Sequence, residues 1–234
     1  MNILIPMAGA GSRFEQAGYT FPKPLIEVHG KPMIQKVVEN LNIDGRYIFL
    51  VQKEHYNKYA LNYLLPLIAP GCEIIQVDGV TEGAACTTLL AKHLINNDAP
   101  LITANSDQFV DFEEGWQDKL NTWADGNILT FTATHPKWSF VRVEEGIVKE
   151  VAEKKPISDA ATVGIYHWKK GSDYVKYAEQ MIEKNIRVNN EFYVCPVFNE
   201  AIKDGKKIKT IPIKKMWGLG TPEDLRYFLT YYRG

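Results

Sequence analysis

The chain has little of what marks secreted, membrane-spanning or nucleic-acid-binding proteins. It has only three cysteines, Cys72, Cys86 and Cys195, and no two of them have C-x-x-C or zinc-ligand spacing. We therefore expect reduced, buried thiols in a cytoplasmic protein. The net charge is −1, which gives no basic field for nucleic acid. No apolar run approaches the length of a membrane span, so we expect neither a membrane nor a nucleic acid as partner.

A glycine loop follows the first apolar run. The run Ile3–Met7 has no basic region before it and is broken by Pro6, so it predicts a core strand rather than a signal peptide. Gly9 and Gly11 tolerate positive φ and let the backbone approach a ligand. Successive amides in such a loop can bind an anion, and the guanidinium of Arg13 can bind phosphate through two hydrogen bonds. The loop therefore predicts a polyphosphate site.

Two other phosphate loops are excluded by what this loop lacks. The dinucleotide-binding fingerprint needs a third glycine, and this chain has Phe14 at that position. A P-loop ends in Gly-Lys-Ser/Thr, whereas here Gly11 is followed by Ser12 and Arg13. The loop thus belongs to neither class.

A lysine between two prolines follows the loop at a short distance. Pro22 and Pro24 restrict the backbone on either side of Lys23, which would aim the lysine at low entropic cost. An exposed loop lysine without function is the alternative. Beside a phosphate loop we favour the functional interpretation, in which Lys23 reaches a phosphorus centre of the polyphosphate.

A carboxylate follows the central buried run. Asp107 comes shortly after Leu101–Ala104, and ligands of open α/β sheets bind beyond the carboxyl ends of the strands. Mg²⁺ prefers oxygen ligands and keeps phosphates and waters in its shell. Asp107 is therefore a candidate metal ligand, with Asp111 the less favoured choice and a turn or capping role the alternative.

Apolar runs that alternate with helical patterns predict an α/β fold for the first half. We expect strands and helices, in chain order, at Ile3–Met7, Met33–Leu41 (helix), Tyr47–Val51, Glu54–Leu65 (helix), Glu73–Val77, Ala84–Ile95 (helix) and Leu101–Ala104. This alternation favours a mostly parallel central sheet flanked by helices.

The second half changes character and predicts a small β-hairpin region that covers the substrate. We expect strands at Ile128–Thr134, Phe140–Val143, Ile147–Val151, Val163–Trp168 and Ile208–Ile213, and helices at Tyr174–Glu183 and Tyr193–Ile202. The sequence Glu144-Glu145-Gly146 is a hairpin signal. Thr221 can cap a last helix that has Pro222 in its first turn. The chain shows no internal repeat or low-complexity linker, so we expect one domain.

The opening of the chain resembles that of the sugar-1-phosphate nucleotidyltransferases. The family pattern is a strand followed by Ala-Gly-x-Gly-x-Arg-Phe/Leu, Pro-Lys-Pro-Leu and Val-x-Gly-x-Pro-Met/Leu-Ile, and the chain shows these blocks at 8–14, 22–25 and 28–34. Weaker matches continue towards the C-terminus. The resemblance implies a single Rossmann-like nucleotidyltransferase domain over 1–234, with a nucleotide-binding half at about 1–110 and an acceptor-binding half at about 111–234.

The resemblance implies roles on the nucleotide side. Arg13 would hold the β- and γ-phosphates of a nucleoside triphosphate (NTP), Lys23 its α-phosphate, and Asp107 the cofactor Mg²⁺. The other nucleotide-binding candidates are Ala8, Gly9, Ala10, Gly11 and Ser12 in the glycine loop, and Asp78, Gly79, Thr81, Glu82 and Gly83 in the region that contacts base and ribose. That region lacks the family's usual Gln-x-x-Pro-x-Gly motif. The identity of the NTP base is therefore left open, with a pyrimidine slightly favoured.

The resemblance also implies an acceptor site. The segment 150–156 resembles the family's Glu-Lys-Pro motif with one lysine extra, so Glu153 would bind acceptor hydroxyls and Lys154 the acceptor phosphate. Lys155 takes that role if the register slips, and a solvated charge run is the alternative. Gly164, in a segment like the family's Gly-Ile-Tyr strand, would admit the acceptor against the backbone. Glu191 is either a metal or substrate contact or a plain surface charge.

The chain departs from the family at the second metal aspartate. That aspartate normally precedes a hydrophobic-Gly-Thr-Pro segment. In this chain the segment is residues 219–222, and Gly218 occupies the position of the aspartate. Either one protein carboxylate suffices, or another acid supplies the second. The five histidines show no ligand pattern, and we expect His93 and His167 to be structural.

The implied reaction transfers a nucleoside monophosphate from an NTP to a sugar 1-phosphate, releases pyrophosphate and makes a nucleotide sugar for surface polysaccharide synthesis. A cytidylyltransferase for a phosphorylated amino alcohol or amino acid is a close alternative. A metal-dependent glycosyltransferase of related fold is another alternative, but it would require an Asp-x-Asp motif. Residues 105–107 contain only the second aspartate of that motif. A regulatory module without turnover would not need Arg13, Lys23 and Asp107. The expected assembly is a monomer or homodimer.

Overall fold

A nine-stranded sheet forms the centre of the protein in a computed structural model that describes residues 1–120 and 123–233. The strands are β1 (Asn2–Pro6), β2 (Glu27–Val28), β3 (Lys31–Pro32), β4 (Arg46–Gln52), β5 (Glu73–Val77), β6 (Leu101–Ala104), β7 (Gln108–Asp111), β8 (Gly126–Thr132), β9 (Ser139–Glu144), β10 (Ile147–Glu153), β11 (Ala160–Trp168), β12 (Ile208–Pro212) and β13 (Lys215–Gly218). Of these, β2 with β3 and β7 with β13 form separate two-stranded sheets.

Helices cover the central sheet. They are α1 (Ser12–Gln16), α2 (Met33–Leu41), α3 (Lys53–Lys58), α4 (Leu61–Ile68), α5 (Ala84–Leu89), α6 (Lys92–Ile95), α7 (Gly171–Glu183), α8 (Val197–Lys203) and α9 (Pro222–Tyr231), with short 3₁₀ helices at Lys23–Leu25 and Trp116–Leu120. None of the helices within these described ranges is long and apolar enough to cross a membrane.

The first half of the chain builds a parallel sheet in the order β5-β4-β1-β6. The chain moves from β1 outward to β4 and β5, and then returns to place β6 on the other side of β1. The strand order therefore reverses between β1 and β6. In open α/β sheets a ligand crevice forms beyond the carboxyl ends of the strands at such a reversal.

The second half completes the sheet with mixed pairing. Strand β11 runs antiparallel to β6, β8 and β9, and β10 runs antiparallel to β9. Consequently only β10 and β11 oppose the common direction of the nine strands, which confirms the mostly parallel α/β fold. The hairpin between β9 and β10 is also confirmed, and its turn holds Glu145 at φ 51° and Gly146 at φ 74°.

Successive side chains of the strands point to opposite faces of the sheet and pack in two separate hydrophobic cores. Leu4 packs in one cluster, whereas its neighbours Ile3 and Ile5 pack in the other. A third cluster joins the two ends of the chain, because Phe14 and Leu219 are buried together with the apolar face of α9. This third cluster fixes the C-terminal segment beside the glycine loop.

Several elements differ from the predictions. The helix expected over Glu54–Leu65 is split into α3 and α4 by Ala60, which adopts φ 50°. The helix expected over Ala84–Ile95 is likewise interrupted between α5 and α6. Helix α8 begins at Val197 rather than Tyr193, because Pro196 restricts the residue before it and favours a helix start. The β7–β13 ribbon was not predicted, since its two strands mix polar and apolar residues and form no apolar run.

The last helix begins as its sequence predicts. Thr221 is the N-cap residue of α9, and its hydroxyl accepts a hydrogen bond of 3.1 Å from the Asp224 N–H. Pro222 is the first helical residue, where its missing N–H leaves no bond unmade. Asp224 is thereby held in the first turn, close to the carboxyl edge of the sheet.

Candidate functional site

The loops after β1 and β6 meet at the strand-order reversal. Their contact is made by Lys23 and Asp107, whose Nζ and Oδ2 atoms lie 2.8 Å apart. The two side chains are 23% and 24% exposed, so the ion pair is part-buried but open to a ligand on one side. Asp107 is fixed through its backbone as well, since its carbonyl accepts a 2.8 Å hydrogen bond from Leu219 N–H. The structure therefore brings together the predicted lysine and the predicted metal carboxylate.

The glycine loop lies directly against this ion pair. Gly11 adopts φ 65° at the start of α1, which a residue with a side chain would adopt only under strain. A methyl group on Gly11 would stand 3.6 Å from Lys23 Cβ, so the loop packs on the lysine backbone. Arg13 follows on α1, exposed, and forms no ion pair within residues 1–120 and 123–233. An exposed guanidinium and an ammonium thus flank the loop.

The segment after β5 is tied to the second half of the chain. Glu82 accepts a 2.9 Å hydrogen bond at its backbone carbonyl from Phe192 N–H, and its carboxylate forms an ion pair with Arg187. A methyl group on Gly83 would stand only 2.5 Å from the Phe192 backbone. The close approach that Gly83 permits is therefore to Phe192, and a nucleotide contact by Gly83 stays a prediction.

The other residues of this segment lie in its turn. Asp78 forms an exposed ion pair of 3.2 Å with Lys53, and Gly79 adopts φ 73°. The Thr81 hydroxyl donates a 2.9 Å hydrogen bond to the Gly83 carbonyl. The turn stands at the carboxyl end of β5, at the same edge of the sheet as the glycine loop.

The segments that hold the predicted acceptor residues Lys154 and Glu191 come together although they are far apart in sequence. Lys154 adopts φ 54°, and its Nζ donates a 2.5 Å hydrogen bond to the hydroxyl of Tyr193 while lying 4.6 Å from the ring centre. Glu191 ends a tight turn whose middle residues, Asn189 and Asn190, both adopt positive φ. Tyr193 was not singled out from the sequence, because a lone tyrosine carries no motif.

Glu153 lies next to Lys154 and is more buried than both Lys154 and Glu191 in this group of acceptor candidates. It ends β10 opposite Ser139, whose hydroxyl donates a hydrogen bond to the carboxylate. Burial raises the pKa of Glu153 and the Glu191 charge adds to this, whereas the Ser139 hydrogen bond and Lys154 lower it. The site therefore holds a carboxylate with a fixed orientation beside a lysine.

The open space expected at Gly164 is filled by a protein side chain. Gly164 adopts φ 77°, and a methyl group there would stand 2.2 Å from Asn105 Nδ2. The Asn105 N–H also donates a 2.9 Å hydrogen bond to the Gly164 carbonyl. Glycine is needed here because the Asn105 side chain occupies the space of a Cβ atom and because φ is positive. An acceptor that reached this point would contact the Asn105 amide before Gly164.

An acid missed by the sequence reading lies beside Gly218. A methyl group on Gly218 would stand 3.2 Å from Asp224 Cγ and 3.3 Å from Oδ2. Gly220, two residues on, lies against Asp107 in the same way, at 2.6 Å from Oδ2. Asp224 also forms a 2.9 Å ion pair with Lys137. The only sequence signal for Asp224 was its place in the first turn of a capped helix, which indicates a dipole partner rather than a site.

Asp111 and His167 have structural contacts, whereas the structural role expected for His93 is not supported. Asp111 accepts a 3.0 Å hydrogen bond from the Trp217 indole, which makes it a structural partner of the β7–β13 ribbon. His167 is buried, and its Nδ1 lies 3.0 Å from Asn127 Nδ2. His93 is exposed on α6.

The donors present fit a magnesium site that is completed by substrate. Within the described parts of the chain, no group of three or more His, Cys, Asp or Glu side chains could hold a metal by itself. Mg²⁺ is commonly bound by one or two carboxylates together with substrate phosphates and water. Asp107 is a partly exposed carboxylate of that kind, and Asp224 lies against the neighbouring glycine.

Comparison with known protein families gives a match over almost the whole chain. The family model described as nucleotidyl transferase matches residues 3–231, and the chain therefore belongs to the nucleotidyl transferase family. The family resemblance of the opening motifs is thus confirmed. Its fold and its family are both those of nucleotidyltransferases.

Individual relatives share the fold over nearly the whole chain. A nucleoside-diphosphate-sugar pyrophosphorylase from Vibrio cholerae RC9 is 27% identical with a TM-score of 0.83, over 97% of this chain and 99% of that one. The inositol-1-phosphate CTP transferase from T. maritima is 14% identical with a TM-score of 0.73, over 100% and 97%.

A curated relative extends well beyond the matched region. The bifunctional protein GlmU of Methanocaldococcus jannaschii is 24% identical over 231 residues, which cover 96% of this chain and 52% of that protein. The chain thus spans about half the length of this curated relative.

Proposed function

We propose that the protein transfers a nucleoside monophosphate from an NTP to a sugar 1-phosphate and releases pyrophosphate. The observation that carries this proposal is the Lys23–Asp107 ion pair beside the glycine loop, with the Glu153 and Lys154 group at the same edge of the sheet. The product would be a nucleotide sugar, which we assign to surface polysaccharide synthesis in the cytoplasm.

The reaction joins two anions, and the residues divide that task. The exposed loop amides and Arg13 bind the β- and γ-phosphates, and Lys23 stabilises the charge that builds on the oxygens of the α-phosphate. A bond forms from an acceptor phosphate oxygen to the α-phosphorus, while the bond from that phosphorus to the bridging oxygen breaks. Pyrophosphate leaves with the electron pair of that bond, so no protein group needs to become covalently attached.

The second half of the chain holds the acceptor. Lys154, kept in place by Tyr193, binds the acceptor phosphate, and Glu153 accepts hydrogen bonds from acceptor hydroxyls. Glu191 completes this side, while Ala8, Gly9, Ala10, Gly11, Ser12 and the residues of 78–83 hold the nucleotide. The C-terminal segment 215–231 contacts Asp107 on the nucleotide side. The expected division near residue 110 therefore separates nucleotide binding from acceptor binding only in part.

Mg²⁺ is the proposed cofactor, with Asp107 as its first protein ligand. When bound, the ion neutralises triphosphate charge and orients the α-phosphate for attack. Asp224 is the best candidate for the second acid, because its carboxylate lies against Gly218 and Gly218 itself has no side chain. Glu191 lies on the acceptor side with Tyr193, so we favour its role as an acceptor contact.

The deciding experiment measures pyrophosphate release with each of four NTPs against a panel of phosphorylated acceptors. The panel contains sugar 1-phosphates, phosphorylated amino alcohols and a phosphorylated amino acid. Release that needs both an NTP and a sugar 1-phosphate supports the proposal. Release with CTP and an amino alcohol phosphate alone moves the function to the cytidylyltransferase alternative. Sugar transfer from a nucleotide sugar, without pyrophosphate release, would indicate a glycosyltransferase.

A further inference from the structure

Two successive carbonyl groups of the glycine loop point at one side chain. Gln52, the last residue of β4, donates from Nε2 to the carbonyl of Ala8 at 2.9 Å and to the carbonyl of Gly9 at 3.2 Å. Strand β4 lies next to β1, and the backbone contact between them continues to Met7, whose N–H donates to Leu50. The loop is thereby tied to β4 through its carbonyl groups.

This tie fixes the direction of the loop amides. In a planar trans peptide the C=O of one residue and the N–H of the next point in opposite directions. Because the Ala8 and Gly9 carbonyls face Gln52, the N–H groups of Gly9 and Ala10 face away from it. Both residues are exposed, and neither N–H donates to a protein group in the part of the chain that the structure describes. Two free amides therefore point to the same open side.

We infer that Gln52 is a positioning residue that orients the loop amides for the triphosphate of the NTP. The inference rests on the proposed function and adds a residue to it. Without the Gln52 amide, each peptide of the loop could rotate, because Gly9 has no side chain to hold it. Two N–H groups that face one side form an anion-binding concavity only while both peptides keep this orientation.

The test compares Gln52→Met and Gln52→Glu with a matched control, Gln117→Met. Methionine keeps the length of the side chain and removes the donor, whereas glutamate places a negative charge against two carbonyl oxygens. Gln117 is a suitable control because its Nε2 donates to the carbonyl of Asn42 at 2.7 Å, in a turn away from the site. NTP affinity by calorimetry, KM for the NTP and for the acceptor, and the melting temperature are measured for each variant.

We expect Gln52→Met to weaken NTP binding roughly tenfold and Gln52→Glu to weaken it further, with an unchanged KM for the acceptor. Gln117→Met should lose a similar amount of stability and keep native kinetics. Native NTP affinity in Gln52→Met, or an equal rise in both KM values, would overturn the inference. The comparison requires a wild-type protein that binds NTP and releases pyrophosphate. A wild type that does neither would contradict the proposed function rather than the role of Gln52.

Discussion

Lys23 Nζ lies 2.8 Å from Asp107 Oδ2, although the two residues are 84 positions apart in the chain. The contact forms because Lys23 follows β1 and Asp107 follows β6, and these two strands are parallel neighbours. In the proposed reaction Asp107 would hold Mg²⁺, and Lys23 would exchange this carboxylate partner for a phosphate of the NTP. The proposed chemistry depends on this exchange.

Lys23→Met should strongly reduce turnover with little loss of stability. In the proposed reaction this charge stabilises the transferring phosphorus in the transition state, so we expect a fall in kcat on the order of 10²–10³. The ion pair is partly exposed, and its removal should change the free energy of unfolding by about 1 kcal/mol or less. Lys31→Met is the matched control, because Lys31 also bonds a carboxylate, Glu39, at 2.7 Å. A near-native kcat in Lys23→Met would refute the role of Lys23.

Asp107→Asn should lower activity and raise the Mg²⁺ concentration needed for half-maximal rate. The amide keeps the size of the side chain but removes the negative charge that attracts the cation. Steady-state rates over a magnesium titration, and after removal of divalent ions by a chelator, provide the measurement. A rate that survives chelation unchanged contradicts the proposed metal.

Asp224→Asn should also raise the magnesium requirement, by a smaller factor. The backbone N–H of residue 224 still donates to Thr221, so the start of α9 is preserved. Glu223→Gln removes an acid from the same turn, where Glu223 forms an exposed ion pair with Arg226, and serves as control. If the two variants have the same magnesium dependence as the wild type, one protein carboxylate suffices.

Lys154→Ala should raise the KM for the phosphorylated acceptor while NTP affinity, measured by calorimetry, stays close to that of the wild type. In the proposed reaction the lysine supplies a phosphate-binding cation on the acceptor side, so its loss would remove ground-state affinity and some alignment. Lys155→Ala is the neighbouring control and should leave both parameters unchanged. Weakened NTP binding with a native acceptor KM would show that the two sides of the site are assigned the wrong way round.

Stability should fall between pH 6.5 and about pH 4 because of His167. Burial lowers the pKa of this histidine from 6.5 to about 4, so the unfolded chain binds the proton first. The stabilisation is complete above pH 6.5 and is lost as the pH falls through the folded pKa, amounting to about 3 kcal/mol. Urea unfolding of His167→Gln across this range should show a shallower pH dependence, whereas the exposed His93→Gln should follow the wild type. Equal slopes in all three proteins would contradict this prediction.

The sequence by itself determined the class of fold and the candidates on single loops. The strands at Glu73–Val77 and Leu101–Ala104 and helix α2 lie where periodicity predicted them, because buried strands and an amphipathic helix carry their pattern locally. The glycine loop, the proline-flanked Lys23 and the capped α9 were readable for the same reason. Each of these features is encoded within a few neighbouring residues.

Only the tertiary structure decided which residues meet. Tyr193 reaches Lys154 across 39 positions, and Gln52 reaches the glycine loop across 44 positions, through contacts that no local pattern encodes. The carboxylate of Asp224 came to lie beside Gly218 because a capped helix starts just after an extended segment. A side-chain contact of this kind depends on strand order and on the packing of loops at one edge of the sheet. Sequence periodicity reports neither, since it records only which face of an element is buried.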